Sequence, residues 1–276
     1  MKKADTTLNG LIFISDINGK LRICELIDNR FIELLQLSIR VRYWDLTPTM
    51  LACATDNQVI IYSLNESLKE LYVLKYEEEV DFVKVLEDEL LVVTRDGHIK
   101  IIKLSNKKIK EAKCNKRNNL AALSFNEQEL IYINKEGSIG VYSLKEHEEK
   151  LIPYDGENVY RVWKIKDLFI IRKKNSIQVF VIQSEEKLEL KCELKGNITA
   201  VMVKDEVLAY ASLNDPYILI IELPSLGELK KIKREFEVLA LELIESHLIA
   251  FGINTFAVYS VVGERIKFTT KLTNPK

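Results

Sequence analysis

Short apolar runs along the chain come in pairs, each pair separated by a polar turn. Residues 131–144 read IYINKEGSIGVYSL. Counted from Gly137, apolar side chains follow at +2, +4 and +7: Ile139, Val141 and Leu144. The same frame gives Leu21, Ile23 and Leu26 after Gly19, and Val59, Ile61 and Leu64 after Asn57. It gives Ile99, Ile101 and Leu104 after Gly97, and Ile177, Val179 and Ile182 after Asn175. It continues with Ile218, Ile220 and Leu223 after Pro216, and ends with Phe256, Val258 and Val261 after Asn254. An apolar run precedes each centre: LIFIS, LACAT, LLVVT, LIYIN, LFIIR, VLAYA and LIAFG. Period-two alternation on both sides of a polar turn predicts a β-hairpin. Gly or Asn at six of the seven centres suits a turn that visits positive φ, and Pro216 requires a different one.

The centres are 38, 40, 40, 38, 41 and 38 residues apart, and self-similarity at such a period marks a repeat architecture. Two more strands fit in each period. A charge-rich run follows each hairpin (RFIELLQLS, LKELYVLKY, KIKEAKC, KLELKCEL, ELKKIKREF, ERIKFTTKL) and suits an outer edge, where charge discourages edge-to-edge pairing. A short apolar run then suits an inner strand: VRYWDL, VDFVKVL, LAALSF, VYRVWKI, ITAVMV, VLALELI. The prediction is an all-β chain, a seven-bladed β-propeller with four antiparallel strands per blade. It forms one domain over residues 1–276, with hairpin turns near 19, 57, 97, 137, 175, 216 and 254. The amphipathic stretch 228–237 falls where the frame expects an outer strand. Residues 2–8 are left to supply the inner strand of the first blade, while the last blade owns all four of its strands.

GSIGVYSL, RDGHIKIIKL and DNQVIIYSL resemble the third strand of a WD-repeat blade. The resemblance is degenerate. At the Trp position stand Cys24, Tyr62, Ile102, Tyr142, Phe180, Ile221 and Tyr259, and no unit carries a Gly-His dipeptide in the family's register. The family's Asp-His-Ser/Thr-Trp tetrad therefore cannot be assembled, although Asp56 and Asp96 sit in the matching turns. The resemblance implies a non-catalytic platform for other proteins, a subunit or adaptor of a larger assembly. It also implies that contacts gather at the end bearing the hairpin turns and the loops into each inner strand. On that basis the candidate protein-binding residues are Arg40, Arg42, Trp44, Arg95, His98, Arg117, Tyr160, Arg161, Lys173 and Tyr217. RVRYWD (40–45) and VYRVW (159–163) combine Arg, Tyr and Trp, the residue types enriched at interface hot spots.

Composition narrows the chemistry. Forty basic and 41 acidic residues leave a net charge of −1, so no global field attracts nucleic acid or anionic lipid. A local run, KLSNKKIKEAKCNKR (103–117), carries seven basic residues against one acid, and KKIKR (230–234) and RKK (172–174) follow. They support an alternative reading as an RNA- or DNA-associated subunit. A metal-dependent hydrolase is a second alternative, but Asp45 and Asp81 are the only aspartates on the predicted inner strands and they do not align. The histidines, His98, His147 and His247, are far apart, and Cys24, Cys53, Cys114 and Cys192 form no CxxC pair, so reduced, packed thiols are expected and no metal or cofactor is predicted. No apolar stretch is long enough to span a membrane. The expected location is cytoplasmic, or nuclear in a eukaryote.

Overall fold

The computed structural model describes residues 3–6, 11–15, 18–27, 30–64, 68–86, 88–106, 108–113, 120–126, 128–134, 137–146, 148–154, 156, 158–184, 187–244, 247–253, 255–261 and 267–271. Among them every regular element is a strand, and the strands form seven four-stranded sheets of consecutive antiparallel strands. Blade 1 is β1 (Lys3–Thr6), β2 (Leu11–Ser15), β3 (Leu21–Ile27) and β4 (Arg30–Gln36). Blade 2 is β5 (Tyr43–Leu46), β6 (Met50–Ala54), β7 (Gln58–Ser63) and β8 (Lys69–Lys75). Blade 3 is β9 (Val80–Leu86), β10 (Glu89–Thr94), β11 (His98–Lys103) and β12 (Ile109–Lys113). Blade 4 is β13 (Leu120–Asn126), β14 (Glu129–Asn134), β15 (Ser138–Ser143) and β16 (Glu149–Pro153). Blade 5 is β17 (Val159–Ile165), β18 (Leu168–Lys173), β19 (Ser176–Ser184) and β20 (Lys187–Lys195). Blade 6 is β21 (Ile198–Lys204), β22 (Val207–Ser212), β23 (Tyr217–Glu222) and β24 (Glu228–Lys233). Blade 7 is β25 (Ala240–Ile244), β26 (His247–Phe251), β27 (Thr255–Ser260) and β28 (Lys267–Lys271). The first blade takes its inner strand from residues 3–6, and 228–233 is strand rather than helix. The Asn254 turn centre lies outside the described residues.

The chain divides into two compact units, residues 41–193 and residues 1–40 with 194–276. In the first, cores form between successive blades. Ala52, Val59 and Ile61 of blade 2 pack with Val83, Leu90 and Val92 of blade 3. Leu91, Val93 and Ile99 of blade 3 meet Leu130, Tyr132 and Tyr142 of blade 4. Ile131, Ile139 and Val141 of blade 4 meet Val162, Phe169 and Ile171 of blade 5. In the second unit, Ala209, Ile218 and Ile220 of blade 6 pack with Leu241, Leu248 and Ala257 of blade 7, and β1 runs beside β25. A second strand covered on both faces reads as a continuous apolar run, as in β10 (ELLVVT) and β22 (VLAYAS), where every residue after the first is buried. The outer β8 has no buried residue, and from Leu71 it alternates between exposed and half-buried.

The +7 residue of the repeat has a backbone role. The N–H groups of Leu64, Leu104, Leu144, Ile182 and Leu223 donate to the carbonyls of Thr49, Asp88, Gln128, Asp167 and Glu206 at 2.7–2.8 Å. Each bond ties the end of a third strand to the turn between the first two strands of its blade. At the opposite end, Tyr76, Tyr154 and Arg234 donate their N–H groups to the carbonyls of Asn57, Gly137 and Pro216. These bonds fasten the outgoing loop to the hairpin turn, so backbone closes the blade without the WD-repeat tetrad. Gly19, Gly97 and Gly137 hold left-handed φ values of 81°, 85° and 83°. The Asn57 turn is closed by Thr55, whose N–H and hydroxyl both donate to the Gln58 carbonyl. The Pro216 turn is closed by Asp215, whose carboxylate accepts the Tyr217 N–H at 3.0 Å.

One buried charge crosses between blades. Asp45 on β5 is 5% exposed and accepts the Val85 N–H at 2.9 Å and the Lys84 ammonium at 3.1 Å, both on β9. Cys24, Cys53 and Cys192 form no disulfide, and Cys114 lies outside the described residues. Burial, reinforced by Glu33 and opposed by Arg22, pushes the Cys24 thiol up to about 11.

Three outcomes follow. Gly140 faces Tyr132 across the β14–β15 ladder, and a Cβ there would overlap the buried Tyr132 ring. Gly140→Ala should therefore lower stability by about 1–3 kcal/mol in denaturant unfolding. Asp45→Ala strands the Lys84 ammonium and the Val85 N–H, and should cost about 2 kcal/mol or more in the same measurement. Cys24 should resist iodoacetamide at pH 8 in the folded protein and react on unfolding, as read by peptide mass mapping.

Candidate protein-interaction site

A β-bulge near the start of the first strand positions the candidate residues. In blades 3, 4, 5 and 6 the register between first and second strands slips by one residue, at Asp81, Ala121, Tyr160 and Thr199. In blade 2 the Arg42 N–H reaches the Ala54 carbonyl, the residue already opposite Tyr43, so Arg42 holds the equivalent place. A bulge leaves its extra residue unpaired and re-aims its side chain. The bulge residues and hairpin turns of residues 41–193 thus form one set of positions, occupied by Arg42, Asp81, Tyr160, Arg95 and Lys173.

Blades 2 and 3 use these positions for an ion network. Arg42 lies 2.5 Å from Glu79, 3.3 Å from Asp56 and 3.6 Å from Asp81. Arg95 lies 2.5 Å from Glu79 and 3.4 Å from Asp81. Burial opposes the charge on Arg42, but the hydrogen bond to Glu79 and the nearby negative groups outweigh it and raise its pKa above the ordinary value. Arg42 also sits over the Tyr43 ring at 5.9 Å. His98 is held in its own turn, with Nε2 3.1 Å from Asp96, whose other oxygen accepts the Thr94 hydroxyl at 2.6 Å. Asp56 and Asp81 were not among the site residues expected from sequence. Their signal lay in the repeat frame, which places Asp56 beside a turn centre and Asp81 one residue after the start of an inner strand.

Blade 5 uses the same positions differently. Tyr160, at the bulge, is 59% exposed, and Arg161 beside it is also exposed. Two successive outward residues are what the bulge permits and a regular strand does not. Arg161 stacks over Trp163 at 5.2 Å, and Lys173 over Tyr154 at 5.6 Å. Across the ladder Arg161 faces Arg172, and Val159 faces Lys173.

The remaining expected residues are scattered. Trp44 is withdrawn from the surface, 4% exposed on β5. Arg40 is exposed at the end of residues 1–40. Tyr217 lies in blade 6 under the Lys231 ammonium at 4.5 Å. Arg117 lies outside the described residues. The run KKIKR is engaged within its own unit: Lys230 donates to the Ser260 carbonyl, and Arg234 donates to the carbonyls of Ser212, Leu213 and Asp215. Sequence reasoning missed Leu213 and Ile253, hairpin-turn residues that are 47% and 76% exposed. Among the described residues no three of His, Cys, Asp and Glu group as metal ligands would, and no helix is long and apolar enough to cross a membrane.

No family model matches the chain, and no curated protein matches it in sequence. Solved structures resemble it closely in shape. The β-propeller domain of Cps50 (Swd1) from Myceliophteria thermophila superposes with a TM-score of 0.68 at 10% identity, covering 91% of this chain and 92% of that one. The WD40 repeats of RRP9 superpose at 0.66 with 13% identity, over 87% and 83% of the two chains. Hsv2 from Kluyvelomyces marxianus superposes at 0.65 with 14% identity, over 94% and 91%. At such identities the likeness speaks to the fold, and it agrees with the seven four-stranded sheets: this chain has the seven-bladed β-propeller fold of WD-repeat-like proteins.

Proposed function

We propose that the chain acts as a single seven-bladed propeller domain over residues 1–276, a non-catalytic platform that binds other proteins within a larger assembly. The observation that carries this reading is the bulge of blade 5. It holds Tyr160 and Arg161 outward side by side, with Arg161 fixed by stacking on Trp163. Exposed Tyr and a stacked Arg combine large contact area with directional donors, and they lose little freedom on docking. The ion network of blades 2 and 3 supports the same reading. Asp81, one of the two aspartates that could have served a hydrolase, lies between Arg42 and Arg95, and Asp45 is occupied by Lys84 and Val85. The WD40 repeats of RRP9 and the β-propeller domain of Cps50 share the fold.

Tyr160→Ala and Arg161→Glu should each weaken a partner by about 2 kcal/mol, roughly thirtyfold, while leaving the thermal unfolding midpoint in place. Affinity purification of the tagged chain from its source cells, compared between wild type and the two variants, measures this. Full retention of every co-purifying protein by both variants would remove blade 5 from the interface. Arg42→Glu tests the ion network separately. It sets a negative charge among Asp56, Glu79 and Asp81, and should lower stability itself by about 1–2 kcal/mol.

A further inference from the structure

We infer that the cleft between blades 4 and 5 is a second binding site, which takes an uncharged peptide segment anchored by an aliphatic side chain. Both blades belong to the unit of residues 41–193. The cleft lies at the end of the blades closed by the +7 residues, where the Leu144 N–H meets the Gln128 carbonyl. That end is opposite the hairpin turns and the bulge, so the inference does not depend on the reading of Tyr160 and Arg161.

Two departures from the repeat open the cleft. Between blades 2 and 3 the corresponding space is filled by blade 2. Met50, opposite Ser63, and Tyr72, opposite Ile61, both pack against the shared core. Leu104, the +7 residue of blade 3, is buried in the same core. At the same two places blade 4 has Glu129, opposite Ser143, and Lys150, opposite Val141. Ile182, the +7 residue of blade 5, is only half-buried. What remains is a cavity of about 580 Å³ between the blades, within the range that ligand sites occupy. Folding alone favours the filled arrangement, because each apolar group covered adds stability. A repeat that breaks its own rule and leaves aliphatic surface open does so where a site is expected.

The lining indicates the occupant. Val141, Ile152 and Ile182 give the cleft an aliphatic floor, which suits a branched aliphatic side chain. Glu129 of blade 4 and Lys164 of blade 5 form an ion pair across it at 2.5 Å. Gln128, Ser143, Gln183 and Ser184 add amide and hydroxyl groups, and these match the N–H and C=O groups of a peptide. Among the described residues the lining carries three lysines and three glutamates. The cleft therefore offers no net charge to attract a polyanion or a polycation. Nucleic acid and strongly charged peptides are disfavoured on that ground. An uncharged segment with one aliphatic anchor suits both the floor and the polar groups around it.

Methyl NMR of the full chain, labelled at Ile, Leu and Val, tests the inference with a capped peptide, acetyl-Gln-Leu-Ile-Ser-amide. Titration should shift the methyl signals of Val141, Ile152 and Ile182 saturably. Replacing Leu-Ile in the peptide by Ser-Ser should weaken binding at least about tenfold. Lys150→Tyr gives blade 4 the residue with which blade 2 fills the same space, and should weaken binding by a similar factor. Ser184→Trp, on the exposed end of β19, should block the cleft without touching the core and serves as the second variant. Lys108→Glu, at an exposed lysine of blade 3, should leave the affinity unchanged, and melting curves confirm that each variant is folded. Four results overturn the inference: no saturable shift at these methyls with millimolar peptide, equal binding of the serine peptide, tighter binding of oligoglutamate or oligolysine, or full affinity in both cleft variants. None of them bears on Tyr160 and Arg161, which the affinity purification tests separately.

Discussion

A four-stranded sheet with two apolar faces has no stable life in water, and the rest of this structure depends on that constraint. The middle strands carry apolar residues at nearly every position, so each sheet must be covered on both sides. Within each compact unit neighbouring blades provide the cover. Leu90 and Val92 pack toward blade 2 while Leu91 and Val93, one residue along, pack toward blade 4. Burying a side chain of this size contributes on the order of 1.5–3 kcal/mol, and each blade holds several. Stability therefore lies in the interfaces between blades more than within any blade, as expected of stacked repeats.

With the blades packed face to face, polar interactions work at their ends. Backbone bonds from the +7 residues close one end, and bonds from outgoing loops to hairpin turns close the other. Such bonds are sequence-tolerant, which is how the chain keeps the fold without the Trp, Asp and His of the WD-repeat pattern. Arg234 shows the cost of that freedom. A residue that reads as part of a basic patch is consumed in holding turn carbonyls in place.

The bulge near the start of the first strand is where scaffold and site meet. It occurs in blade after blade, so the fold offers the same outward position many times, and only the residue placed there differs. Arg42 and Asp81 answer each other across adjacent blades and stiffen the scaffold. Ala121 and Thr199 are small. Tyr160, with Arg161 outward beside it, presents a surface. One backbone device thus serves packing in one blade and holds side chains outward in another.

The fold was legible in the sequence because its causes are local and repeated. Period-two alternation, turn residues every 38 to 41 positions and charged outer runs do not depend on what the chain packs against. The outward placement of Tyr160 and Arg161 was partly legible, from residue type and repeat position. The burial of Trp44, the capture of Arg42 and Arg95 by Glu79 and Asp81, and the engagement of Lys230 and Arg234 were not. Each depends on which side chain a neighbouring blade or turn brings within a few ångströms, across 30 or more residues for Arg42–Glu79 and Lys230–Ser260. The sequence by itself determined the number, order and polarity of the strands, since strand pairing obeys the alternation of each segment. Only the tertiary structure decided which charges are engaged inside the fold and which side chains stand exposed, since charge pairing depends on distance in space.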